Sequence, residues 1–86
     1  MAKYRIEFKR SAGKELGKLH QNYLKKIIKK IKLLEENPRP KGCEKLTDQE
    51  RYRIRQGNYR VVFEIDDKER KVIIYKIGDR KEIYRA

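Results

Sequence analysis

The run Arg51–Ile65 alternates apolar and charged residues on both sides of Gly57-Asn58, and no other segment constrains the fold as tightly. Gly and Asn both tolerate φ > 0, so a two-residue turn can join two strands there. That turn fixes the pairing: Gln56 faces Tyr59, Arg55 faces Arg60, Ile54 faces Val61, Arg53 faces Val62 and Tyr52 faces Phe63. Side chains alternate along a strand, so Tyr52, Ile54, Val61 and Phe63 share the core side. Arg53, Arg55 and Arg60 share the other side, which the pattern directs to solvent. Like charges directly opposite in a sheet cost roughly 0.2–1 kcal/mol per pair. Arg55 across from Arg60 therefore predicts a strained face that a polyanionic ligand relieves.

The chain has 86 residues, 44% of them charged, and a formal net charge of +12. This length predicts one domain spanning 1–86 that buries roughly 60–65% of its unfolded surface. The positive balance favours phosphate-bearing or acidic partners. Charged chains with little apolar content stay unfolded, but here the apolar residues are periodic rather than scattered, which argues for a folded core. A single cysteine, Cys43, leaves no internal disulfide and suits a reducing cytosol. No apolar run approaches the roughly 20 residues of a membrane span, and no signal-peptide core follows Met1. The expectation is a cytoplasmic protein with no membrane partner.

Tyr4, Ile6 and Phe8 alternate with Lys3, Arg5 and Glu7, as in a half-buried strand. Ser11 is then a candidate helix cap. Leu16, Leu19, Tyr23, Leu24, Ile27, Ile28, Ile31 and Leu34 recur at helical spacing, and Pro38 and Pro40 close the run. This run suits one long helix or a hairpin broken around His20-Gln21-Asn22 with Asn22 as cap; the hairpin is favoured. Residues Arg39 to Glu50 read as a connecting loop. After the β-hairpin come a polar turn at Asp66–Glu69, a last strand from Lys71 to Ile77 and a turn at Gly78-Asp79. The expected class is α+β, in the order β-α-α-β-β-β. A small antiparallel sheet is formed by the hairpin and last strand, the first strand is a candidate edge, and the helical hairpin packs on one face.

Familiar catalytic arrangements are absent. One His and one Cys supply neither a metal cluster nor, with His20 at a helix turn and Cys43 in a loop, a Cys–His pair. There is no glycine-rich phosphate loop. The lysines of the second helix, Lys25, Lys29 and Lys32 among them, form either a solvated face or a surface that tracks phosphates without reading sequence.

Three segments resemble the toxins of the RelE/ParE superfamily. They are Tyr52-Arg53-Ile54-Arg55, then Gly57-Asn58-Tyr59-Arg60-Val61-Val62-Phe63-Glu64-Ile65, then Ile77-Gly78-Asp79-Arg80-Lys81-Glu82-Ile83-Tyr84. The resemblance extends to Asn37-Pro38 and to Lys45-Leu46 ahead of the hairpin. Thr47 departs from it, since many relatives carry Gly after that Leu.

The resemblance implies a ribosome-associated endoribonuclease that cuts mRNA in the A site and is silenced by a co-encoded antitoxin, with no cofactor. In the RelE-like branch, the positions on which activity depends match Arg53, Arg55, Arg60, Arg80 and Tyr84. Lys81 is expected as an accessory to RNA binding, together with Lys25, Lys29 and Lys32. Relatives often carry Lys in place of Arg53 and Arg55, and an arginine holds phosphate bidentately yet is almost never deprotonated. The rival implication is a ParE-like toxin that inhibits DNA gyrase by protein contact without cutting nucleic acid; one fold serves both.

Overall fold

The computed structural model describes residues 3–46 and 51–79. Strand β1 (Arg5–Phe8) leads into helices α1 (Arg10–Gly17) and α2 (Gln21–Leu33). Four strands follow: β2 (Glu44–Lys45), β3 (Arg51–Gln56), β4 (Tyr59–Asp66) and β5 (Lys71–Asp79). They form one sheet in the order β1-β5-β4-β3-β2. The hairpin pairs in the expected register, from Gln56 opposite Tyr59 to Tyr52 opposite Phe63. Only Gly57 of the turn takes a positive φ, 61°, which fits a hairpin turn with glycine at its first central position.

β3, β4 and β5 form the expected antiparallel sheet and β1 joins its edge as expected, but β1 lies parallel to β5, so the whole sheet is mixed. The helical pair carries the chain across one face to β2 at the opposite edge, and the antiparallel meander from β2 to β5 brings the chain back alongside β1 in the same direction. A second correction concerns the loop from Arg39 to Glu50. Glu44 and Lys45 pair with Arg53 and Tyr52 to form an edge strand too short to leave a period in the sequence. A third concerns Gly78-Asp79, which stays in β5 opposite Arg60 and Tyr59 instead of turning.

The helices are indeed a hairpin, but the cap of the second helix falls two positions earlier than Asn22. His20 caps α2 and Lys9 caps α1, both with extended backbone and neither with a side-chain bond to the helix. Ser11 lies inside α1, where its hydroxyl donates to the Tyr75 carbonyl at 3.4 Å. Beyond the end of β1, the Ile77 amide donates to Oε1 of Glu15 at 3.3 Å, so α1 satisfies part of the β5 edge.

Ala12, Ile27, Ile31 and Leu34 of the helical layer pack on Ile54, Val61, Phe63, Val72, Ile74 and Ile77 of the sheet. Strict alternation would send Ile77 to the opposite face from Ile74. The register between β4 and β5 shifts at Val62/Phe63, which adds one residue to β5 and returns Ile77 to the core. The bulge leaves Tyr75 half-buried beneath the Arg51 guanidinium, 3.9 Å from the ring centroid. Among the described residues, no helix is long and apolar enough to cross a membrane.

One exposed network ties the loop after α2 to the β4–β5 turn. Arg39 donates two bonds to Asp67, at 2.9 and 3.2 Å, and Tyr4 donates its hydroxyl to the same carboxylate at 2.7 Å. The Arg39 bond, followed by the Tyr4 bond, holds the Asp67 carboxyl below the usual carboxylate range. A depressed folded-state value contributes stability above the unfolded carboxyl range and loses it as pH falls through the folded value. Asp67→Asn should therefore flatten the acid side of a Tm-against-pH curve, with little change near neutrality beyond the lost pair. An unchanged acid limb would contradict this assignment.

Candidate nucleic-acid interface

The face of the sheet away from the helices carries the arginines, because Arg51, Arg53 and Arg55 alternate with Tyr52, Ile54 and Gln56 along β3. Arg51 is engaged elsewhere, over Tyr75 and 4.0 Å from Glu64. Arg53 and Arg55 converge on Glu44, which the β2–β3 register places opposite Arg53. The Nη2 of Arg53 donates to Oε2 at 2.5 Å, and the Nη2 of Arg55 donates to Oε1 at 3.1 Å. Each carboxylate oxygen thus serves a different guanidinium. The Arg53 bond and charge, and then the charges of Arg55 and Arg60, hold the Glu44 carboxyl below its ordinary value.

Arg60 was expected on the solvent face and is instead buried, with 4% of its surface exposed. Its ladder partner is Gly78, which presents no side chain opposite it. Among the described residues Arg60 has no ion pair, and its buried Nε has no hydrogen-bond partner. A desolvated cation is costly unless an anion meets it. The expected Arg55–Arg60 repulsion also needs correcting, because the Glu44 carboxylate stands against Arg55 and offsets it.

The structure brings Arg53, Arg55 and Arg60 together on one face. Lys25, Lys29 and Lys32 are exposed on α2, which covers the opposite face, so they do not join the cluster. Arg80, Lys81 and Tyr84 lie outside the described residues. Glu44 is the site residue that the sequence reading missed. Its one signal was a carboxylate two positions before Leu46, and a two-residue strand gives no periodicity to place it. Cys43 is half-buried and burial pushes its thiol up, contrary to the depressed value a reactive thiolate needs. Among the described residues, no three His, Cys, Asp or Glu side chains gather where a metal ion could be held.

Known proteins with this fold are found among solved structures. The chain is 28% identical to a chain of the intact RelBE toxin–antitoxin complex of E. coli, with a TM-score of 0.80, covering 88% of this chain and 95% of that one. It is 27% identical to a chain of the archaeal RelE–RelB complex from Pyrococcus horikoshii OT3, with a TM-score of 0.77 and coverages of 93% and 97%. A toxin–antitoxin complex of Mycobacterium tuberculosis, RelBE2, gives 25% identity, a TM-score of 0.82 and coverages of 93% and 94%. No curated protein matches the chain. The sequence pattern of the ParE toxin of type II toxin–antitoxin systems, parDE, matches residues 6–84. The chain therefore belongs to the ParE toxin family of type II toxin–antitoxin systems, and it carries the α+β fold of the RelE toxins.

Proposed function

We propose that this toxin is a ribosome-dependent endoribonuclease that cuts mRNA in the A site. The observation that carries this reading is the buried Arg60 guanidinium, without an anionic partner among the described residues, on the same face as Arg53 and Arg55. The reaction is attack of a ribose 2′-OH on the adjacent phosphorus. The O2′–P bond forms, the P–O5′ bond breaks, and the products are a 2′,3′-cyclic phosphate and a 5′-hydroxyl. It requires the nucleotide splayed in line and the added charge of the phosphorane stabilised. Arg60, with Arg80, grips the scissile phosphate, and the dry setting of Arg60 strengthens that interaction. Arg53 and Arg55 hold the flanking backbone. Tyr84 stacks on the base beside the cut or relays a proton to the leaving oxygen. No guanidinium accepts a proton at neutral pH. The 2′-OH proton passes to solvent water, and the charges of Arg53 and Arg55 favour the deprotonated nucleophile. Lys81 supports RNA binding near Arg80, and Lys25, Lys29 and Lys32 supply a second basic surface toward the ribosome.

The partner that silences the toxin is an antitoxin segment with acidic residues and an amphipathic helix, as a chain of net charge +12 favours. The relatives whose solved structures are RelB–RelE complexes support that pairing. A second reading, protein-contact inhibition of DNA gyrase, is favoured by the ParE description of the matching family. The two separate in parallel assays of the purified protein. Primer extension on translated mRNA should show new 5′ ends at A-site codons, while gyrase supercoiling stays at its control rate. Intact mRNA together with blocked supercoiling would establish the second reading instead.

A further inference from the structure

The placement of Glu44 carries a consequence for how RNA enters the site, on the reading of the ligand as RNA. We infer that Glu44 is an ionic latch whose carboxylate stands in for a phosphate on Arg53 and Arg55, so that RNA binds by displacing it.

The geometry supports displacement in four respects. The two oxygens of Glu44 take one guanidinium each, which is how two oxygens of a phosphate would bridge the same pair. The Arg53 side chain is only 13% exposed and benefits from an anion in the free protein, whereas the Glu44 side chain is 46% exposed. Water is therefore at hand to receive the carboxylate when it leaves. Glu44 also sits on β2, which holds only two residues at the end of the sheet, so its release breaks few ladder bonds. Finally, the charge of Arg60 reaches Glu44 and adds to its attraction without any hydrogen bond of its own. An incoming phosphate meets all three arginines, whereas the carboxylate bonds only two. Phosphate wins the exchange, but it must first replace an ion pair.

Removing the latch should then tighten binding. The test uses the full chain and a short single-stranded RNA with 2′-O-methyl riboses, which lack the attacking hydroxyl, followed by fluorescence anisotropy across a salt series. Glu44→Gln should bind about tenfold tighter than wild type. Its salt dependence should steepen by about 0.7 in the log–log slope, because arginines without their carboxylate hold one salt anion that RNA must release. Glu44→Asp keeps the charge but is too short to reach both arginines, so it should tighten binding as well. Glu64→Gln raises the net charge by the same amount on the same face, beside Arg51, and should leave affinity unchanged. Equal tightening by Glu44→Gln and Glu64→Gln would reduce the effect to overall charge and overturn the latch. Unchanged or weaker binding by folded Glu44→Gln and Glu44→Asp would overturn it too, and the RNA reading would survive if wild type still bound. Failure of every form to bind RNA would overturn the latch, while the ribosome-dependent reading is decided separately by primer extension on translated mRNA.

Discussion

Arg60→Met is expected to lower mRNA cleavage on ribosomes by about 10²–10³-fold, the loss typical of one well-placed donor to a developing oxyanion. The same change is expected to stabilise the free protein. Methionine keeps an unbranched apolar stem opposite Gly78 and removes a buried cation that lacks an ion-pair partner among the described residues. A gain of about 1 kcal/mol would raise Tm by roughly 4–8 °C in a domain of this size. Stability and activity thus move in opposite directions, as they do where a site keeps a strained charge for its ligand. The measurement is a thermal melt paired with ribosome-programmed cleavage. A folded variant that cleaves at the wild-type rate would remove Arg60 from the site. A variant with lower Tm would make Arg60 a structural cation.

The largest effect on stability alone is expected from Phe63→Ala. Phe63 is fully buried at the centre of the core and stacks on Tyr52, with ring centroids 6.0 Å apart and planes inclined by 23°. It joins the helical layer to the hairpin, so its loss opens a cavity beneath the strand that carries Arg60. Truncation of a core phenylalanine costs about 3–5 kcal/mol, against a total of roughly 5–15 kcal/mol for a small domain. Tm should fall by roughly 12–40 °C, read by circular dichroism. A fall of only a few degrees would mean that the core relaxes into the space, and that the sheet and helical layer depend less on this contact than the burial indicates.

The hairpin was legible residue by residue because two local facts fix it. Gly57 permits the turn, and alternation assigns each face, so the pairing of Arg55 with Arg60 follows without tertiary information. The break between α1 and α2 was legible to within a few residues, since helix ends are set by weak local preferences. Gly78 misled because a glycine beside Asp reads as a turn. Here it stays in the strand, paired with Arg60. The bulge in β5 was present in the spacing of Ile74 and Ile77, three apart where alternation demands an even number. The parallel pairing of β1 depends on a crossover that only the assembled layers determine.

The site divides in the same way. Strand alternation puts Arg53, Arg55 and Arg60 on one face, whereas their burial and their relation to Glu44 come from β2 folding against β3. Arginine is exposed far more often than buried, so the pattern alone directs Arg60 to solvent. The general preference gives way where a site must hold a cation away from water.

The most direct test of the central claim is the chemistry of the RNA ends left by the purified toxin on ribosomes programmed with a short defined mRNA. In-line attack by the 2′-OH predicts a 3′ fragment with a free 5′-hydroxyl and a 5′ fragment ending in a 2′,3′-cyclic phosphate, both lost in Arg60→Met. A 5′-phosphate on the 3′ fragment, or uncut mRNA with wild-type toxin bound in the A site, would contradict the account.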